Sequence, residues 1–171
     1  MAAQLQSVGK MLRAIIVLAV SLFAFGNTQL EAQGAGPFQN LAGHWSGNGT
    51  IELAKGAREP IRCRANYDVL TEQRSLQLNI RCASASYNFD LLGSANYAAG
   101  SVTGTWSEST RNAAGTLAGE AKGERIQVQA KGLAFSASLT LVTHGDRQSV
   151  TIRSQQPDAS VMGATISLRR G

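Results

Sequence analysis

From Leu41 to Leu53 the chain reads LAGHWSGNGTIEL, and its residues alternate in kind with a period of two. Gly43, Trp45, Gly47, Gly49, Ile51 and Leu53 fall on one side of an extended strand, and His44, Ser46, Asn48, Thr50 and Glu52 on the other. Small, apolar and aromatic residues on one face and polar residues on the other mark a sheet with one buried and one wet face. The pattern returns in Ile61, Cys63, Ala65, Tyr67 and Val69, in Leu76, Leu78, Ile80 and Cys82, and in Tyr87, Phe89 and Leu91. It continues through Val102, Gly104 and Trp106, through Ile126, Val128 and Ala130, and through Leu133, Phe135, Ala137, Leu139 and Leu141. Val150 and Ile152 precede a last strand with Met162, Ala164, Ile166 and Leu168 on one face. No segment sustains a helical period, and Pro37, Pro60 and Pro157 sit at strand margins, where a missing N–H is tolerated. With turn signals every 8 to 12 residues or so, the chain reads as an all-β antiparallel meander of about ten strands. Closure into a barrel removes the exposed edges. The barrel domain is expected over 41–171, after a small-residue lead-in at 33–40.

The two cysteines test the strand register. A hairpin centred between Glu72 and Gln73 sets Cys63 opposite Cys82, Ala65 opposite Ile80, Tyr67 opposite Leu78 and Val69 opposite Leu76, so the apolar faces coincide. Directly opposed cysteines bridge most easily at non-hydrogen-bonded pairs, where the strands approach most closely. A four-residue loop closed by Leu70 and Ser75 places Cys63 and Cys82 at such a pair, whereas a two-residue loop does not. Thr71 to Arg74 also lacks the Asn-Gly or Gly chemistry of a two-residue turn. A Cys63–Cys82 disulfide is therefore expected. On the outer face the same register puts Arg64 opposite Arg81 and beside Arg62. Like charges directly opposed are unfavourable, so these three are either an anion or partner face or simply snorkelling side chains.

Lys10 and Arg13 precede the apolar run Ala14 to Phe25, which falls short of the roughly 20 residues a membrane-spanning helix needs. The arrangement reads as a signal peptide over 1–32, cleaved after Gly26 or Ala32. That places the mature chain in the periplasm or outside the cell, with no stable membrane anchor after cleavage. Two cysteines in an exported chain fit one disulfide formed in an oxidising compartment. The net charge of +5 is mild for 171 residues and spread over many outward positions. A nucleic-acid binder would concentrate it into a stripe with exposed aromatics, so no nucleic-acid partner is expected.

Gly43-His44-Trp45 resembles the Gly-x-Trp signature on the first strand of lipocalins and related calycin barrels. That resemblance implies a container for small apolar ligands. It also implies an Arg from the last strand packed over the Trp, and Arg170 has the parity of Ile166 and Leu168 to do this, while Arg169 faces the other way. The longer string Gly43-x-Trp45-x-Gly47-x-Gly49 is similar to the opening of nitrobindin-like heme barrels. Those ligate heme through a His near the C-terminal end, and Val161 to Arg170 contains none, so no tight heme complex and no other cofactor is expected. Overall the chain looks like a small exported protein of Gram-negative bacteria.

Chemistry is sparse. His44 lies on the outward side of the first strand and His144 in a hairpin, without the inward neighbours that a general base or a metal site requires. His144 and Asp146 share one tight turn and do not converge on a nucleophile. Neither an enzyme nor a metal site is expected. Two readings remain. In the first, strand parity directs Trp45, Tyr67, Tyr87, Trp106 and Phe135 into the barrel, where they hold a small apolar molecule, with Arg170 as the only charged side chain sharing that interior. In the second the barrel is filled, and its loops or the Arg62, Arg64 and Arg81 face bind an envelope protein partner, as a protease or lysozyme inhibitor does.

Overall fold

The computed structural model describes residues 36–70 and 73–171. The expected leader at 1–32 lies outside the described residues, as do Thr71 and Glu72 of the predicted hairpin loop. Ten strands follow one another: β1 (Gly43–Leu53), β2 (Arg58–Leu70), β3 (Ser75–Ala83), β4 (Asn88–Ala98), β5 (Ser101–Glu108), β6 (Ala113–Lys122), β7 (Arg125–Gly132), β8 (Phe135–His144), β9 (Arg147–Ser154) and β10 (Val161–Arg170). Every strand pairs antiparallel with its sequence neighbours, and β1 pairs with β10, closing the barrel. One 3-10 turn, Ala54–Gly56, links β1 to β2.

The hairpin register follows the cysteines. Cys63 faces Cys82, Ala65 faces Ile80, Tyr67 faces Leu78, and Leu70 faces Ser75, which closes a four-residue loop. The disulfide joins β2 to β3 across a Cα–Cα distance of 4.1 Å, the close approach of a non-hydrogen-bonded pair.

The glycines of β1 serve close backbone approach. A Cβ at Gly47 would overlap the Ser167 carbonyl oxygen, and one at Gly49 the Thr165 carbonyl oxygen. The strand thus coils tightly against β10 where the Gly-x-Gly spacing leaves no side chain in the way.

Three details depart from the sequence reading. The described part of the lead-in packs onto the barrel: Phe38, and Leu41 just after it, are each 1 % exposed, because 36–41 folds across one end and buries these two large apolar side chains. Leu133 is fully exposed in the turn before β8, which begins at Phe135, so it does not share that strand's inner face. Met162 is exposed because the β1–β10 register shifts between Glu52 and Leu53, turning the start of β10 out of phase with Ala164 and Ile166.

Candidate functional site: the barrel interior and its two ends

The end of the barrel where β1 begins is closed from the sequence upward. Trp45, set inward by the parity of β1, donates its indole N–H to the Leu41 carbonyl at 2.7 Å, tying the covering segment to the strand. Arg170 at the end of β10 lies 4.8 Å from the Trp45 ring centroid and donates to the carbonyls of Ala42 and Asn40. This is the Arg-over-Trp contact that the Gly-x-Trp resemblance implied. Tyr67 meets Trp45 edge to face at 6.5 Å and donates its phenol to Gln148 Oε1 at 2.9 Å, and Gln148 Nε2 donates to Thr143 Oγ1 at 3.1 Å. Burial pushes the Tyr67 phenol well above its usual pKa, and the Gln148 contact offsets only part of that. Trp45 and Tyr67, each 1 % exposed, therefore form a rigid floor.

Above that floor the wall is uneven. Ile51 and Ile61, on β1 and β2, are buried. Leu78, Ile80 and Phe89 on β3 and β4, Leu117 on β6, and Leu139, Leu141 and Val150 on β8 and β9 pack against the same core yet stay partly exposed. This partial exposure sets them apart from the buried Ile51 and Ile61 on the same inner face.

The opposite end carries the other three predicted residues. Tyr87 precedes β4 rather than belonging to a strand, and stacks on Phe89 with centroids 6.2 Å apart. Arg111 covers both rings, 5.5 Å from the Tyr87 centroid and 4.6 Å from that of Phe89. Trp106 and Phe135 meet edge to face at 5.2 Å. The five aromatics thus divide: Trp45 and Tyr67 at the floor, Trp106 and Phe135 on the wall near the mouth, Tyr87 on the rim.

One charged residue escaped the sequence reading. Glu108 continues the inward parity of Val102, Gly104 and Trp106 and is 7 % exposed, so Arg170 is not the only charged side chain associated with the interior. Its carboxylate accepts the backbone N–H of Asp90 (3.0 Å), Thr110 (3.1 Å) and Arg111 (2.9 Å) and the Thr110 hydroxyl (2.7 Å), with the Arg111 guanidinium at 3.5 Å. Gln148 and Thr143 were also missed, although their parity with Val150 and Leu141 was the available signal.

On the outer surface Arg64 faces Arg81, as the register required, and Arg81 is relieved by Asp90 at 3.3 Å. Arg62 is exposed on the same face. The row continues beyond the predicted residues: Ser46 lies beside Arg64 on one side and Arg169 on the other, and Arg169 faces Arg147. His44 is exposed; His144 is held by Glu124 at 3.0 Å, which raises its pKa. Among the described residues no three His, Cys, Asp or Glu side chains converge on a point where they could hold a metal ion.

The barrel is similar to two solved structures. Rv2717c from M. tuberculosis superposes with a TM-score of 0.61 at 12 % identity, over 78 % of this chain and 94 % of that one. The S-type phycobiliprotein lyase CPES from Guillardia theta gives 0.56 at 9 % identity, over 78 % and 90 %. The likeness is one of fold. No protein-family model matches the sequence, and no curated protein matches it.

Proposed function

We propose that this chain is an exported, non-enzymatic barrel that holds a small, mostly apolar molecule between the Trp45–Tyr67 floor and a mouth framed by Tyr87, Trp106 and Phe135. The observation that carries the reading is the partly exposed inner wall of Leu78, Ile80, Leu117, Leu139, Leu141 and Val150. A phycobiliprotein lyase sharing the architecture is compatible with it, and the disulfide is consistent with an oxidising compartment. Covering roughly 400 Å² of apolar surface returns about 10 kcal/mol at ~25 cal/mol per Å², and association costs about 4 kcal/mol or more. The remainder corresponds to a dissociation constant of roughly tens of micromolar. Titration with dodecanoic acid, retinol and 1-anilinonaphthalene-8-sulfonate, followed by tryptophan emission, tests the reading. Saturable change with at least one probe supports it; unchanged emission and no binding by calorimetry for all three removes it.

A second reading rests on the outer row Arg81, Arg64, Ser46, Arg169 and Arg147, which runs across five adjacent strands spaced about 4.8 Å apart. Such a row suits a polyanionic envelope component. Heparin as a soluble polyanion should bind the wild type and lose affinity in R64E/R169E. An equal loss in R125E/K131E, with the same charge change elsewhere on the barrel, would reduce the effect to net charge.

A further inference from the structure

The molecule's two indoles are treated differently. Trp45 N–H is paired with the Leu41 carbonyl at 2.7 Å. Trp106 is only 7 % exposed, yet its Nε1–H is buried without a hydrogen-bond partner. A buried donor left unmatched costs about 1–3 kcal/mol, and such groups are rare enough in folded proteins that each calls for a cause.

The surroundings show that the indole is positioned deliberately. Trp106 faces Gly115 on β6, and Gly115 faces Gly132 on β7. A Cβ at Gly132 would come within 3.0 Å of Trp106 Cζ2, so the ring extends over a strand kept bare for it. Glu108, two residues along on the same face, is an acceptor of the right parity, but its oxygens are engaged by Asp90, Thr110 and Arg111. Phe135, whose ring centroid lies 5.2 Å away, offers at most a π face, a weak acceptor. Phe135 is partly exposed at the start of β8, two residues after the fully exposed Leu133.

We infer that the ligand carries an uncharged carbonyl oxygen, as a ketone, aldehyde, ester or amide does, and that this oxygen takes the Trp106 Nε1–H inside the mouth of the barrel, displacing the Phe135 ring. The inference rests on the ligand-binding reading above and adds the chemical class of the ligand to it. A neutral acceptor is favoured over a carboxylate because Arg111, the cation at this end of the barrel that covers the Tyr87 and Phe89 rings, is already matched to Glu108, and an unmatched carboxylate is costly to bury. The apolar remainder of the molecule lies along Leu78, Ile80, Leu117 and Leu139.

The test uses 2-acetylnaphthalene and 2-isopropenylnaphthalene, which match in shape and heavy-atom count and differ in having C=O or C=CH2. In ¹H–¹⁵N spectra of the wild-type protein the ketone should shift the Trp106 indole N–H downfield while the Trp45 indole stays put, and the hydrocarbon should leave the Trp106 N–H where it was. The ratio of ketone to hydrocarbon affinity should fall roughly tenfold in Trp106→Phe, the size expected for one buried hydrogen bond. If both probes bind, the two shifts are equal and the ratio survives in Trp106→Phe, the carbonyl inference is overturned and the container stands. If neither naphthalene binds while dodecanoic acid, retinol or 1-anilinonaphthalene-8-sulfonate does, the carbonyl inference is overturned and the container stands; if none of the five binds, both fail. The spectra need no variant, so a Trp106→Phe chain that fails to fold does not block the test.

Discussion

At Glu108 an acid is buried where the alternation of β5 asks for an apolar side chain. Burial alone would raise its pKa, but the hydrogen bonds from Asp90, Thr110 and Arg111 together outweigh it and hold the carboxyl below its ordinary value of 4.5. A depressed folded-state pKa stabilises the fold fully above the unfolded value, and that contribution is lost as pH falls through the lowered one. Glu108→Ala should therefore cost about 2 kcal/mol at pH 7, because it strands three backbone donors of the β5–β6 turn and β4. Urea unfolding at pH 7 and again below pH 4 checks this, since the difference between wild type and variant should shrink in acid. The face Glu108 occupies was legible from Val102, Gly104 and Trp106. Its satisfaction was not, because one of its donors comes from Asp90 on another strand, and strand parity carries no information about such partners. The same limit hid the tie between Gln148 and Tyr67, which lie far apart along the chain.

Among the elements, the β2–β3 hairpin was the most readable, for a physical reason. Two apolar faces, a cysteine pair and a loop length each constrain the register independently, and a slip by one residue would turn every side chain to the wrong face. Where only alternation was available the reading failed locally: Leu133 kept the parity of β8 but fell in a turn, and Met162 kept that of β10 but fell at a register shift. Cys63→Ser/Cys82→Ser should lower stability by about 3 kcal/mol, the chain-entropy value for a loop of this order. The two cysteines are 19 residues apart. Guanidinium unfolding of wild type with and without reductant, compared with the double variant, gives the number; equal midpoints in all three would mean that the bridge constrains nothing the barrel does not already hold. Neither cysteine takes part in the floor's hydrogen bonds, so loss of the bridge should leave them in place.

On the scale of the whole molecule one end of the barrel is fastened by Arg170 and 36–41 and the other carries the Tyr87, Phe89 and Arg111 stack, and only the first was legible. Gly43-His44-Trp45 and the parity of Arg170 pointed to a closed end, but the covering role of 36–41 was hidden because Phe38 belongs to no alternating run. Whether the interior is filled is not a property of any strand's pattern, since the same inward Leu, Ile and Val residues line a hollow barrel or a collapsed one. It depends on strand number, tilt and stagger together. The two ends should therefore respond separately to mutation. Arg170→Ala removes the cation over Trp45 and the donors to the Asn40 and Ala42 carbonyls, and should cost about 2 kcal/mol. Arg170→Lys keeps the charge but not the planar fork, and should recover only part of that. Hydrogen exchange locates the effect: the Leu41 amide, which donates to the Phe38 carbonyl at 2.9 Å, should exchange faster in Arg170→Ala, while the Ser109 amide at the opposite end, bound to the Asp90 carbonyl at 3.0 Å, should keep its protection. If both amides lose protection together, the ends are one cooperative unit, and a ligand entering at the mouth would then tighten the floor as well.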